Sequence, residues 1–238
     1  MAIGIEKFHL SNLKLEKKTK LQGAKPFSST QVFRLKPNAI SGTGARELIQ
    51  SGTIRPISPK EATAIIDSEG WKLLDIRPVW EREKAMVSGS LHVPLFVKDM
   101  DTSPLTLLKK WVHFGYIGLW TGQNFTTINP EFLRQVQMTV PDKETKLLVA
   151  CGEGLRSMMA VTILHGGGYQ NLGWLAGGFN RAGDDDFLAV EGTGKLQYAT
   201  IGGVSYYFLQ LLILLQAVEY ASNVRSDMVG KFILHNSI

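Results

Sequence analysis

The sequence predicts an α/β fold, in which helices flank a parallel sheet, followed by a transmembrane helix near the C-terminus. Two observations predict this arrangement. Between residues 56 and 181, short apolar runs of strand length alternate with helical patterns, which is typical of parallel strands joined by crossover helices. Further along, Leu196–Val218 contains no charged residue, and a helix of that length can cross the roughly 30 Å hydrocarbon core of a bilayer.

The basic character of the chain is concentrated at its N-terminus. Residues 1–46 hold nine Lys and Arg against two Glu, a balance of +7, whereas the remaining residues hold 17 Lys and Arg against 19 Asp and Glu. Residues 1–50 are rich in Lys and hydroxyl side chains, which indicates an organellar transit peptide, the alternative being a disordered basic tail. The positive charge therefore does not indicate nucleic acid as a partner.

The elements of the predicted domain, residues 56–192, follow in order. Ser58 as N-cap, Pro59 at the first helical position and Glu61 at the third predict a helix that begins with Pro59–Ile66. The predicted strands are Lys72–Ile76, Leu91–Val93, Leu147–Ala150 and Leu172–Leu175. A predicted helix, Met158–Leu164, lies between the last two strands. The continuous apolar run of the third strand fits a parallel sheet that is buried on both faces.

A long insertion, residues 97–138, interrupts the domain. It contains five aromatic residues in its middle part, namely Trp111, Phe114, Tyr116, Trp120 and Phe125. Insertions of this length are usually functional or disordered, and this one is too apolar for disorder. We prefer the interpretation of a helix pair packed on the domain's own core. The alternative is an amphipathic surface that meets a membrane or a partner, with Lys109 and Lys110 at the lipid headgroups.

The uncharged C-terminal stretch lies between Lys195 and Glu219. We assign residues 196–220 to a single transmembrane helix and residues 221–238 to a tail, the alternative being an amphipathic helix docked on the domain. Two basic residues precede the span and two follow it, so the charges do not set its orientation.

The only cysteine, Cys151, directly follows the predicted strand Leu147–Ala150 and opens a glycine-rich loop that leads into a helix. Only a thiolate is a good nucleophile, and positive potential around a thiol favours it. The N–H groups of a helix N-terminus supply such potential, and glycines let successive N–H groups curl around one anion. Arg156 adds a full charge and a planar set of donors that suits an oxyanion. A lone cysteine can also be buried and inert, but this context favours a reactive thiol.

The candidate site consists of the nucleophile and the loop that would bind a substrate and a persulfide, namely Cys151, Gly152, Glu153, Gly154, Leu155, Arg156 and Ser157. Four residues separate Cys151 from Arg156, whereas cysteine phosphatases use five, so the tighter loop favours sulfane sulfur over phosphate. We expect Glu153 to point to solvent and to weaken the attraction of an anionic substrate. With one cysteine in the chain, sulfur must pass to an outside acceptor. The sequence has no metal-ligand spacing, and we predict no metal and no other cofactor.

The loop resembles the active-site loop of the rhodanese (sulfurtransferase) family, whose pattern is Cys-x-x-Gly-x-Arg-Ser/Thr. Four further stretches are similar to the family's motifs in the same order along the chain: Trp71–Pro78, Ala85–Pro94, Gly168–Leu172 and Leu175–Phe179. The resemblance covers about Ser58 to Arg181, half of the chain. It implies a five-stranded parallel sheet, and it implies that Asp75 and Arg77 support the loop through hydrogen bonds and a salt bridge.

The basic leader, the domain and the C-terminal anchor together resemble the membrane-anchored chloroplast branch of this family in plants. That resemblance implies a thylakoid location with the domain facing the stroma and membrane lipid around the anchor. Two functions follow. In the first, Cys151 takes sulfur from a small donor such as thiosulfate and passes it to a thiol or protein acceptor. In the second, the domain is a catalytically silent docking or assembly module for a thylakoid membrane complex, which Glu153, Gly152 and the aromatic insertion favour.

Overall fold

The computed structural model describes residues 42–235 of the chain, and the centre of this part is a five-stranded parallel sheet. The strands of the sheet, in their spatial order, are β1 (Ile54–Ile57), β8 (Leu172–Leu175), β7 (Leu147–Ala150), β2 (Lys72–Asp75) and β4 (Leu91–His92). Strand β7, which leads directly to Cys151, therefore lies in the middle of the sheet. The α/β fold with a five-stranded parallel sheet is confirmed.

The other elements surround this sheet. Two antiparallel pairs lie outside it: β3 (Ala85–Val87) with β9 (Val190–Gly192), and β5 (Phe96–Lys98) with β6 (Thr126–Ile128). The α-helices are Gly42–Gln50, Pro59–Glu69, Val79–Arg82, Pro104–His113, Leu119–Thr121, Phe132–Thr139, Leu155–Gly166 and Gly203–His235. A π-helical turn, Phe114–Gly118, joins two of these helices, and short 3-10 turns occur at Phe179–Arg181 and Leu196–Tyr198.

The central strand is buried on both faces. Leu147 and Val149 belong to the apolar cluster that includes residues of the helix Leu155–Gly166, whereas Leu148 and Ala150 belong to a second cluster on the other face. Because successive strand residues point to opposite faces, a strand that is covered twice needs an apolar residue at every position. This constraint explains why β7 is readable in the sequence as an uninterrupted apolar run.

The predicted elements agree closely with the structure. Strands β7 and β8 have the predicted bounds, and β2 and β4 each end one residue before the predicted end. The first predicted helix spans Pro59–Glu69, and the Glu61 carboxylate accepts a hydrogen bond from the Ser58 backbone N–H at 3.0 Å, as the capping pattern predicts.

The folded unit extends on the N-terminal side beyond residue 56, the predicted start of the domain. Gly42–Gln50 is a helix within the folded unit, and Ala45 in this helix is buried. Strand β1 pairs with β8 and begins at Ile54, before the predicted domain start at residue 56. The short helix lies in a stretch rich in Gly, Ser and Thr, which masks its apolar positions, so its burial depends on tertiary contacts rather than on local propensity. The rest of the predicted transit-peptide segment, residues 1–41, lies outside the described residues.

The insertion differs from the preferred interpretation. Pro104–His113, the π turn and Leu119–Thr121 form one helical segment, which we call the insertion helix (residues 104–121). The structure describes every residue of this helix, and none of them is buried. Only the second helix of this stretch, Phe132–Thr139, packs on the core. The prediction of a packed helix pair is therefore correct for the second helix and wrong for the first.

The C-terminal helix begins later than predicted. Leu196 and Ala199 are buried in the domain core, and the helix starts at Gly203 and continues to His235, through most of the predicted tail. Among the helices in residues 42–235, one is long and apolar enough to cross a membrane. Its candidate span, Gly203–Ser222, has a mean hydropathy of 1.3 and is not buried against the domain. The uncharged run of the sequence thus combines a core segment with an apolar helix.

A buried hydroxyl gives a test of the core. Tyr169 is fully buried, and its Oη donates a hydrogen bond of 2.6 Å to the carbonyl oxygen of Val140. Tyr169→Phe should lower the free energy of unfolding by about 1–2 kcal/mol, because the Val140 carbonyl loses its partner in the apolar interior. Urea unfolding of the detergent-solubilised chain measures this. The control, Tyr207→Phe at an exposed position, should change it by less than about 0.5 kcal/mol. Equal effects of the two variants would contradict this account.

Candidate active site

Cys151 lies at the carboxyl end of β7, between the carboxyl ends of β2 and β8. Ligands of open parallel sheets bind at this edge, because the strand ends and the N-termini of the following helices meet there. All seven predicted loop residues lie in this corner of the domain. Asp75 is the last residue of the neighbouring strand β2, and Arg77 follows that strand. The structure therefore brings the predicted site residues together.

The cysteine sulfur is enclosed by hydrogen-bond donors. Cys151 is fully buried, and its Sγ accepts hydrogen bonds from the backbone N–H groups of Gly154 at 3.1 Å and Ser157 at 3.3 Å. The Ser157 hydroxyl lies 3.4 Å from the same sulfur and donates to the Gly154 carbonyl oxygen at 2.9 Å. Both N–H groups belong to the N-terminal turn of the helix Leu155–Gly166, where backbone donors have no partner within the helix. This arrangement stabilises negative charge on sulfur.

Arg156 is paired with a carboxylate that the sequence analysis missed. Its Nη1 and Nη2 donate to the two carboxylate oxygens of Glu81, at 2.8 and 2.6 Å, and the Glu81 side chain is almost completely buried. Burial alone would lower the pKa of Arg156, but the hydrogen bonds and the charge of Glu81, with a contribution from Cys151, raise it above its ordinary value. The guanidinium is therefore held in one place and stays charged.

A cleft of about 650 Å³ opens in front of the loop. Glu153, which is exposed as expected, lines it together with Leu155 and Arg156. The opposite walls come from the insertion helix and from the segment that enters the C-terminal helix, which contributes Thr200. The side chain of Asn180 links this segment to the site, because its Nδ2 donates to Thr200 Oγ1 at 3.1 Å. A substrate in the cleft would meet one acidic and one basic side chain of the loop.

Asp75 and Arg77 form a fully buried ion pair beside the loop. The Arg77 Nη2 donates to Asp75 Oδ2 at 2.7 Å and to the carbonyl oxygen of Ala85 at 2.8 Å, and the Arg77 backbone N–H donates to Asp75 Oδ1. The guanidinium also stacks 4.4 Å from the centre of the Phe179 ring. The backbone N–H of Phe179 donates to the Cys151 carbonyl oxygen at 2.9 Å. The pair thus reaches the loop through Phe179.

Two further residues hold the backbone of the loop. The indole N–H of Trp174, in β8, donates to the Gly154 carbonyl oxygen at 2.8 Å, and the backbone N–H of Asn180 donates to the Gly152 carbonyl oxygen at 2.8 Å. The sequence analysis did not assign a role to Trp174, Asn180, Thr200 or Glu81. For Glu81 the sequence offers one local signal, an acid in the first turn of the short helix that follows Pro78, but nothing in it points to Arg156.

The chain is similar to known proteins of one family. The model of the Rhodanese-like domain family matches residues 58–183. Rhodanese-like domain-containing protein 10 of Arabidopsis thaliana is 63% identical over 185 residues, which cover 78% of this chain and 86% of that protein. Rhodanese-like domain-containing protein 11, chloroplastic, of the same plant is 40% identical over 160 residues, 67% of this chain and 54% of that protein. The solved structure of thiosulfate sulfurtransferase from Pseudomonas aeruginosa is 17% identical with a TM-score of 0.38, covering 60% of this chain and 21% of that chain.

The Glu81–Arg156 pair can be tested by removing its negative charge. Glu81→Gln should lower the free energy of unfolding by about 2–3 kcal/mol, because the largely buried Arg156 loses its counter-charge. Thermal and urea unfolding in detergent measure the loss. The control is Glu83→Gln, two residues away and exposed, which should change stability by less than about 0.5 kcal/mol. If Glu81→Gln proves as mild as its control, the pair does not hold the loop.

Proposed function

The chain belongs to the rhodanese-like domain family, and from this we propose that it is a membrane-anchored sulfurtransferase that carries sulfane sulfur on Cys151. The observation that carries the proposal is the pair of backbone N–H groups, from Gly154 and Ser157, that point at a sulfur atom placed at the end of the central strand. Donors in this position stabilise the negative charge that develops on Sγ when the outer sulfur is passed to an acceptor.

In the first step sulfur is transferred to Cys151. The Cys151 thiolate attacks the outer sulfur of a donor such as thiosulfate, a new S–S bond forms, and the S–S bond of thiosulfate breaks. Sulfite leaves with the electron pair of that bond, and the enzyme holds a Cys151 persulfide. Arg156 uses two of the five N–H groups of its guanidinium for Glu81, so the others are available to the oxyanion of the donor.

In the second step the Cys151 persulfide gives up its outer sulfur. A thiolate of a small molecule or of an acceptor protein attacks the outer sulfur of the persulfide, takes that sulfur, and returns Cys151 to the thiolate. The loop residues 152–156 and Ser157 hold the charge on sulfur through both steps, while Asp75 and Arg77 act as positioning residues. They keep Phe179, and with it the backbone of Cys151, in a fixed place. The reaction needs neither a metal nor another cofactor, and no nucleic acid is involved.

The site of action that we propose is a chloroplast membrane. Three relatives carry the description chloroplastic, and the apolar helix Gly203–Ser222 is long enough for one crossing of a bilayer. Within the chloroplast we propose the thylakoid membrane, with the domain on the stromal side. The basic residues 1–41 would serve as the leader that import requires.

A second candidate function is a docking module without catalysis, bound to a thylakoid membrane complex. The burial of Cys151 favours it, because a sulfur with no exposed surface must be uncovered before a donor can reach it. The pairing of Arg156 with Glu81 and the position of Glu153 at the cleft favour it as well, since both reduce the attraction of an anion. The two functions differ in whether the purified protein takes up sulfur.

Sulfur uptake separates the two functions. After incubation with thiosulfate, the intact mass of the chain should increase by one sulfur atom, and Cys151→Ser should show no increase and no sulfur transfer to cyanide. As a matched control, Ser68→Cys in the Cys151→Ser background supplies an exposed thiol outside the loop, and it should not restore transfer. A folded wild-type chain that takes up no sulfur would exclude the sulfurtransferase and leave the docking module.

The charge of Glu153 should set the affinity for the donor. Glu153→Gln should lower the KM for thiosulfate about two- to fivefold with little change in kcat, because one repulsive charge leaves the cleft that the anion enters. The effect should shrink as salt is added. Steady-state rates at low and moderate ionic strength measure it, with Glu144→Gln, just before the amino end of β7, as the control. A KM that does not respond to Glu153→Gln would place the donor elsewhere.

A further inference from the structure

The insertion helix turns its polar side chains inward. Thr106, Lys110 and His113 are spaced by four and three residues, so they lie along one side of the helix. Lys110 Nζ donates to the backbone carbonyl oxygens of Asp99 and Asp101 at 2.7 and 2.6 Å, and Thr106 Oγ1 donates to the Asp101 carboxylate at 2.6 Å. His113 Nε2 lies 3.1 Å from a carbonyl oxygen just beyond the helix. These contacts tie the polar side to the loop that follows β5 and to the segment that precedes β6.

Most of the remaining surface of this helix is apolar and faces outward, and Lys109 is an exposed charge within it. Its exposed side chains include Leu108, Trp111, Phe114, Tyr116 and Trp120, and Tyr116 has 83% of its surface accessible. A surface helix of a water-soluble domain normally shows the reverse pattern, with its apolar stripe on the core. A continuous apolar face of this kind marks a contact with a membrane or with another protein.

The position of the helix identifies what covers this face. The end of the insertion helix packs backbone to backbone against the start of the C-terminal helix: a Cβ atom on Gly122 would lie 2.5 Å from the Gly203 nitrogen, and a Cβ on Gly203 would collide with the Leu119 carbonyl oxygen. Gln123 Nε2 also donates to the Thr200 carbonyl oxygen at 3.0 Å. Since the candidate span begins at Gly203, a bilayer crossed by that span begins where the insertion helix ends.

We propose that the insertion helix lies in the interface of the same bilayer that the C-terminal helix spans. Trp111, Tyr116 and Trp120 then sit at the level of the headgroups, where amphipathic rings are favoured. Lys109 is exposed and faces the headgroups, whereas Lys110 is held by the carbonyl oxygens of the preceding loop, so only one of the two predicted lysines is available for lipid. This inference rests on the proposed membrane anchor but not on the proposed chemistry.

The placement has a direct consequence for the site. Ile117 and Thr121 of the insertion helix line the cleft in front of the cysteine loop, and Ser205 at the start of the C-terminal helix lines it as well. With both helices at the bilayer, the mouth of the cleft lies at the membrane surface, and donors and acceptors approach along that surface.

Spin labels on the full chain test the placement. In the Cys151→Ser background, single cysteines replace Leu108 and Tyr116 on the apolar face, Leu212 in the span, and Leu188, an exposed residue of the domain that serves as the control. The labelled chains are reconstituted into vesicles of phosphatidylcholine and phosphatidylglycerol. Collision of each nitroxide with oxygen and with a water-soluble nickel complex then reports its depth. Labels on the apolar face should lie about 5–10 Å into the boundary between headgroups and acyl chains, the label at position 212 should lie deeper, and the label at position 188 should be in water.

The outcomes are distinguishable. If Leu108→Cys and Tyr116→Cys are as accessible to nickel as Leu188→Cys while Leu212→Cys is deep, the interfacial helix is overturned and the anchor stands. If Leu212→Cys is in water, the anchor itself fails. Dipolar broadening between labels at position 116 at high protein density would show that a second copy covers the face, and that result also overturns the proposal. Circular dichroism of each labelled chain verifies that it is folded.

Discussion

The buried ion pair between Asp75 and Arg77 is the interaction on which the arrangement around the cysteine depends. Two charges without solvent are costly unless they are paired and hydrogen-bonded. Here the carboxylate accepts from both the backbone and the side chain of Arg77, and of the guanidinium nitrogens Nη1 is buried without a hydrogen-bond partner among the described residues. Because Arg77 also binds the Ala85 carbonyl oxygen and stacks on Phe179, the pair joins the end of β2 to β3 and to the turn after β8. The backbone of the cysteine loop rests on that turn, so its geometry follows from a pair of residues that do not touch the sulfur.

Local sequence patterns predict the first helix of the domain, the central strand and the elements around Cys151. The capping residues before Pro59, the doubly buried strand β7 and the strand, loop and helix around Cys151 are each encoded within a segment of at most about 20 residues, and the structure has these elements in the predicted order. The contacts that complete the site are of a different kind. Glu81 meets Arg156 across 75 positions of the chain, and Thr200 approaches the loop from beyond the domain motifs. Sequence spacing carries no information on such pairs.

Two predictions that rested on apolar composition differ from the structure for one physical reason. An uncharged run does not reveal whether its residues face a protein core or lipid, and so the predicted span absorbed Leu196 and Ala199, which belong to the core. For the insertion helix the same ambiguity led to the opposite error, because a helix predicted to pack on the core has an exposed apolar face. Its aromatic residues fitted a core helix by composition, but the side chains of its polar stripe form hydrogen bonds with the loops on either side of the helix, and this leaves the apolar stripe outside. Which side of a helix is free depends on partners that only the fold supplies.

The close approach of Thr200 to the loop limits how this site can be redesigned. A Cβ atom on Gly152 would collide with Thr200 Cγ2 and would lie 3.1 Å from Arg156 Nη2, so a side chain cannot be added at position 152 by itself. Thr200 is also three residues before the C-terminal helix and hydrogen-bonded to Asn180, which restricts its own movement. An engineer who wishes to install a cationic residue in the loop, and so recruit a different class of anion, must first shorten the side chain at position 200. The cysteine loop and the segment that leads into the C-terminal helix are thereby coupled in the amino acids that they permit.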